Sequence, residues 1–283
     1  MKLMSFSFRG SSSYGVIQEG FVIDLGPLHP QYGSTIKECL QRGGLREFTS
    51  EDLGKLPKTL LSDVVFEPVI PNPSKILCIG INYASHVKET GRELPKYPMI
   101  FTRFADSQVA HGASLVRPKV SSKLDFEGEL AVVIGRPARH VSAKDALDHV
   151  AGYSCFNDGS IRDWQRHTIQ FIPGKNFPRT GGFGPWLVTA DEIPDPSALH
   201  LTTRLNGTVM QDTDTSDMIF DVPKLIEYCS AFTPLSPGDV IVSGTTGGVG
   251  AFREPPLWMK PGDTVEVEIS RIGTLRNGIV DED

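Results

Sequence analysis

The chain has 283 residues, with 28 Lys+Arg against 34 Asp+Glu, giving a formal net charge of −6 at pH 7. Hydrophobic residues at 39% and charged residues at 22% describe an ordinary globular protein, long enough to bury a core without disulfide staples. The acidic balance excludes the basic footprint that nucleic-acid binding needs, and no apolar run approaches the ~18 residues of a membrane span.

In chain order, Met1–Phe8, Tyr14–Gln18 and Phe21–Leu25 alternate apolar and polar residues and predict short strands. Helices are expected over Ser34–Gln41 and Ser50–Leu56. The stretch PVIPNPS, Pro68–Ser74, carries three prolines in seven residues and predicts an extended linker. It sets an expected boundary between a small N-terminal α/β domain, residues 1–68, and a main domain, residues 69–283. Met1–Gly10 lacks the apolar segment of a signal peptide. Cys39, Cys78, Cys155 and Cys229 form no C-x-x-C pair. A reducing, cytoplasmic setting with inert core thiols is the expectation.

Beyond the linker, Lys75–Ile79 (KILCI) predicts a buried strand ending at Gly80. INYASHVKE then predicts a short helix with Asn82 as its N-cap. Strands are expected at Glu127–Ile134, Tyr153–Asn157, Trp186–Thr189, Leu199–Leu205, Val240–Ser243, Thr264–Ile269 and Gly273–Asn277. Helices are expected at Ala143–His149, Ile161–Arg166 and Val222–Ser230. Strands outnumber helices and do not alternate with them, which argues for a β-rich α+β core and against a doubly wound α/β sheet.

Glu127 and Glu129 stand two apart in a strand-like run, so both side chains point to one face. Like charges side by side call for a cation between them, and a divalent ion with oxygen ligands meets that need. A solvated strand edge with two unrelated glutamates has the same pattern. Asp158 follows an apolar strand and precedes a helix, a place for a metal ligand or a cap. Three carboxylates suit Mg²⁺ or Mn²⁺ better than zinc, with Ca²⁺ the alternative. His86 and Glu89, at i and i+3, share a helix face, as a general base and its orienting carboxylate would, and as ordinary surface pairs also do. Lys175, among Gly, Pro and aromatic residues, is placed to hold a substrate carboxylate or an oxyanion, unless it is a surface lysine on a loop. Arg103 is a candidate for a second substrate carboxylate, with an exposed pair to Asp106 as the alternative. The glycine-rich SGTTGGVG, Ser243–Gly250, matches no nucleotide-binding pattern.

From Lys75 onward the chain resembles the fumarylacetoacetate hydrolase family in its short form, which includes acylpyruvate hydrolases and hydroxyhepta-dienedioate isomerases. The matching stretches are GINYASHVKE, DFEGELAVVIG, FNDGSIRDWQ, GKNF, TSDMIF, LSPGDVIVSGT and KPGDTVEVEISRIGTLRN, in order along the chain. Many relatives read TGTP-x-GVG, where this chain has Thr246 in place of Pro and Gly247 in place of a larger residue. The resemblance implies a mixed-sheet β-roll and a homodimer. It also implies a divalent ion on Glu127, Glu129 and Asp158, with a water-activating dyad of His86 and Glu89. Arg162, Gln165 and Lys175 would meet the 2-oxo acid end of the substrate, and Thr245 its carboxylate. The implied partner is a small oxo acid; no nucleic acid or membrane is expected.

The reaction so implied is hydrolysis of a C–C bond in a 2,4-dioxo acid such as maleyl- or fumarylpyruvate, through an enolate that the ion stabilises. The same enolate serves two alternatives, isomerisation of a hydroxymuconate-type acid and decarboxylation of oxaloacetate. A non-catalytic oxo-acid sensor would keep the three carboxylates but have no need of His86 and Lys175. The distal end of the substrate is expected against Phe101–Gln108, Phe171 and Phe183.

Overall fold

Within Gly128–Ile134 (GELAVVI) the stretch Leu130–Ile134 is apolar on both sides of its pleat, and every residue of the strand is buried. Leu130, Val132 and Ile134 belong to one hydrophobic cluster with Leu225, Ile226 and Cys229 of helix Val222–Phe232 and with Leu201 and Val267 of a second sheet. Ala131 and Val133 face the other way. They join Leu3, Ile23 and the residues Ile36, Cys39 and Leu40 of helix Ile36–Gln41. A strand covered on both faces has no polar side to alternate, which is why its sequence reads as one continuous apolar run.

This strand is central to a twelve-stranded mixed sheet in the computed structural model, which describes residues 1–47, 53, 56–90 and 93–283, without the side chains of residues 46, 47, 89 and 90. Its antiparallel neighbours are Val150–Asn157 and Val240–Thr245. Beyond Val240–Thr245 come Ile76–Gly80, paired parallel, and the antiparallel edge strand Met99–Arg103. On the other side Val150–Asn157 pairs with Gly181–Thr189, which in turn pairs with Lys2–Phe8. Residues on both sides of the expected boundary at 68/69 therefore contribute to one sheet. Val69 and Ile70 of the proline-rich segment are fully buried. A second, five-stranded sheet runs Thr208–Asp214, His200–Leu205, Thr264–Ile269, Gly273–Asp281 and Leu115–Arg117. The strand-rich, mixed-sheet architecture matches the expectation. Among the described residues no helix is long and apolar enough to cross a membrane.

The differences are local. Of Ala143–His149 only a 3₁₀ turn forms, at Ala146–His149. The helix expected over 50–56 falls largely outside the described residues. Strands Met99–Arg103 and Thr208–Asp214 were not anticipated, because edge strands with mixed exposure carry weak patterns. Asn82 does not cap helix Ala84–Thr90. Its buried amide donates to the carbonyls of Phe220 and Ser243 and accepts from the Phe220 amide. The carboxylate of Asp217 takes up the Ser85 amide at 3.0 Å and the Ser85 hydroxyl at 2.6 Å instead. The helix that carries His86 is thus tied to a distant segment and not capped by its own neighbour.

Candidate active site

Pairing of the two central strands builds the acidic cluster. Gly128 lies opposite Asn157 in the register, so Glu127 and Asp158 emerge together where the ladder ends. The Asp158 amide donates to the Glu127 carbonyl at 2.8 Å, and the Asn157 side chain accepts from the Glu127 amide at 3.0 Å. Glu129, two residues into the strand, returns to the same face. One carboxylate oxygen from each of Glu127, Glu129 and Asp158 lies within 4.8 Å of the others, and all three residues are buried.

Three buried cations answer this charge. Lys175 Nζ lies 2.5 Å from Glu127 Oε2 and 2.6 Å from Asp158 Oδ2. Arg162 pairs with Glu127 Oε1 at 2.6 Å and with Asp125 Oδ2 at 2.7 Å. Arg103 pairs with Asp158 Oδ1 at 2.7 Å. Burial opposes the Glu127 carboxylate, but the charges of Arg162 and Lys175 outweigh it and hold its pKa down, to about 2. Glu129 goes the other way. Burial, then the neighbouring Asp158 and Glu127, push it well above the usual carboxylate range, although the Gly244 amide donates to its Oε2 at 2.5 Å. Burial works against the Lys175 ammonium, and the charges of Asp158 and Glu127 overcome it.

The cluster fits a hard divalent cation. Its donor set is oxygen only, and Glu129, which has no salt-bridge partner among the described residues, still faces the charges of Asp158 and Glu127. Gly244 is needed for this arrangement. It sits at φ +102°, and a Cβ there would stand 2.7 Å from Asn82 Cβ.

The cluster opens into a cavity. Glu127, Glu129, Arg162, Gln165, Lys175, Thr245 and His86 line it, together with Ile79, Phe101, Phe171 and Phe252. The His86 ring meets Phe252 edge-on, with 5.8 Å between ring centroids. Gln165 Oε1 accepts from Arg162 at 2.9 Å. The Thr245 hydroxyl donates to the Gly128 carbonyl at 3.0 Å and accepts from Gln211 at 2.8 Å. The side chain of Glu89 lies outside the described residues.

Arg103 requires correction. Its side chain is completely buried, and its N–H groups are taken by Asp158, the Gly159 carbonyl, Thr180 and Ser107. It pairs with Asp158 and not with Asp106, and no substrate carboxylate reaches it. Phe183 is likewise a core residue packed on Phe156, away from the cavity.

Two further residues escaped sequence reasoning. Asp125, fully buried, accepts from Arg162 and from the amides of Gly250 and Ala251, so it holds both Arg162 and the turn that presents Phe252. Arg166 lines the cavity with its guanidinium 5.8 Å from the Phe252 ring centroid. Asp125 sits in the same short stretch as Glu127, and its strand-end position was the available signal.

A family pattern described as fumarylacetoacetate (FAA) hydrolase C-terminal matches residues 75–280. A mitochondrial oxaloacetate tautomerase of Bos taurus is 40% identical over 268 residues, covering 92% of this chain and 84% of the relative. The solved fumarylacetoacetate hydrolase of Exiguobacterium antarcticum superposes with a TM-score of 0.89 at 34% identity, covering all of both chains. The maleylpyruvate hydrolase of Sphingobium sp. SYK-6, solved with manganese(II) and pyruvate, gives 0.83 at 26% identity, again with full coverage.

Proposed function

The chain belongs to the fumarylacetoacetate hydrolase family, and from that premise we propose that it interconverts the enol and keto forms of oxaloacetate or a close 2-oxo acid. The observation that carries the reading is the meeting, on one cavity, of a buried three-carboxylate cluster and the ring of His86. A relative named as an oxaloacetate tautomerase, 40% identical over 92% of the chain, supports it.

Tautomerisation moves one proton between C3 and the 2-oxo oxygen, and negative charge grows on that oxygen as the C3 proton leaves. Glu127, Glu129 and Asp158 would hold a divalent ion, Mg²⁺ or Mn²⁺, which when bound would supply Lewis acidity to offset this charge. His86 takes the proton from one position and returns it to the other, a contribution on the order of 10²–10⁴-fold. Lys175, kept charged by its acidic neighbours, adds fixed positive potential at the same end. Phe101, Phe171 and Phe252 keep bulk water from the exchanging proton.

Hydrolytic cleavage of an acylpyruvate is the second reading, favoured by the manganese- and pyruvate-bound maleylpyruvate hydrolase of similar fold. One experiment separates the two. The enol absorbance of oxaloacetate and of acylpyruvates is followed with Mg²⁺ or Mn²⁺ and after chelation, with pyruvate assayed in parallel. Metal-dependent enol loss without pyruvate supports tautomerisation, and pyruvate with a second acid supports hydrolysis. Carbon dioxide and pyruvate from oxaloacetate indicate decarboxylation. No acceleration over the buffer rate sinks the proposal.

A further inference from the structure

Three cationic side chains line the cavity, Arg162, Arg166 and Lys175. Two are committed. Arg162 holds Glu127 and Asp125, and Lys175 holds Glu127 and Asp158. Arg166 is different: it caps the short helix Arg162–Gln165, it is exposed, and among the described residues no carboxylate pairs with it. Its guanidinium carbon lies over the ring of Phe252, 5.8 Å from the centroid, and the same ring meets His86 edge-on. A guanidinium over an aromatic ring at this distance is attracted to it while its N–H groups stay available to bind.

Away from the carboxylate cluster the cavity wall includes Ile79, Phe101, Phe171 and Phe252, whose side chains cannot hydrogen-bond to the tail of an acid whose 2-oxo end sits at that cluster. A charged tail in such walls is costly unless a cation meets it. We infer that Arg166 binds a second, distal carboxylate, so that the site selects dicarboxylic 2-oxo acids over those with neutral tails. The inference rests on the 2-oxo acid reading above and assigns to Arg166 the role that the buried Arg103 cannot fill.

The test is a matched pair of four-carbon acids, oxaloacetate and 2-oxobutyrate, which differ only in carboxylate against methyl at the far end. Dissociation constants are measured by calorimetry on the Mg²⁺-loaded full chain, wild type against Arg166→Gln and Arg166→Lys. The wild type is expected to prefer oxaloacetate by about tenfold or more, as a charge-assisted pair allows. Arg166→Gln brings the ratio close to one with 2-oxobutyrate binding unchanged, and Arg166→Lys restores part of it. A ratio unchanged in Arg166→Gln, or near one in the wild type, overturns the inference even if oxaloacetate enol is turned over. A ratio lost in Arg166→Gln with no turnover by the wild type keeps the inference and removes the tautomerase. Binding of neither acid removes both.

Discussion

Arg103 Nη1 and Asp158 Oδ1 form a 2.7 Å ion pair in which both side chains are completely buried. The same guanidinium also donates to Gly159, Thr180 and Ser107. The pair fixes one oxygen of Asp158 and leaves the other, Oδ2, turned toward Lys175 and the carboxylate cluster. Replacing Arg103 by Met removes one of the two cations on the buried Asp158 carboxylate and leaves Lys175 as the other, so the variant should lose up to ~3–5 kcal/mol of stability. Arg103→Lys should recover only part, because an ammonium cannot reproduce the fork. Urea unfolding measures both, and an unshifted midpoint for Arg103→Met would contradict the role given to the pair.

Gly244→Ala tests the backbone beneath Glu129. The new methyl meets Asn82 Cβ at 2.7 Å at a φ of +102°, where side chains are strained. A cost of about 1–3 kcal/mol is expected, together with weaker Mn²⁺ binding as the amide moves off Glu129. Thermal unfolding gives the first quantity and titration of free Mn²⁺ the second. Unaltered Mn²⁺ affinity would show that the amide does not place the carboxylate.

His200 supplies a pH-dependent term far from the cavity. Its two ring nitrogens meet Asp214 at 2.7 Å and Asp212 at 2.5 Å. The bond to Asp214 raises its pKa above 6.5, with Asp212 adding to the effect against slight burial. A histidine raised on folding stabilises fully below its unfolded pKa, and that contribution is lost as pH rises through the folded value. The pair is exposed, so the term is small. An NMR titration should place the His200 midpoint above 6.5, and His200→Asn should flatten the corresponding part of the stability–pH curve. A midpoint at or below the unfolded value would remove this term.

The four cysteines are free and buried. Burial pushes the thiols of Cys155 and Cys229 up to about 12 and raises Cys39 and Cys78 as well. Thiolate is the reactive form. At pH 8 the native protein should react with a disulfide reagent only as slowly as it opens, and all four thiols should react at once in concentrated guanidinium. A rapid burst from the native state would place at least one thiol at the surface.

The acidic cluster was legible because its parts obey local rules. Glu127 and Glu129 share a face through the period of a strand, and Asp158 sits where its own strand stops. The family resemblance then supplied the meeting of the three carboxylates at one ion, which no local rule contains. What stayed hidden depends on residues distant in sequence. Arg103 reads in the sequence as a candidate for a substrate carboxylate, or as a surface arginine beside Asp106, because Asp158, its partner, lies 55 positions away. Asn82 had the right chemistry for a cap, but Asp217 occupies that place from 132 residues downstream of Ser85. Arg166 follows Gln165 with no periodic signal of its own. Only the turn at Gly250–Phe252, tied down by Asp125, puts an aromatic face beneath it.

The pairing of Lys2 with Val188 bears on how the molecule is assembled during synthesis. The opening hairpin emerges from the ribosome long before the strand it must join, and loop closure over such a span is slow. Until then the Lys2–Leu3 end of the edge of strand Lys2–Phe8 is open, Phe6 and Ser7 being covered by Phe66 and Val65, and it is a template for pairing with another nascent chain. Translation speed through the segment ahead of Gly181–Thr189 therefore sets how long that edge waits, and chaperone dependence should be greatest in that interval.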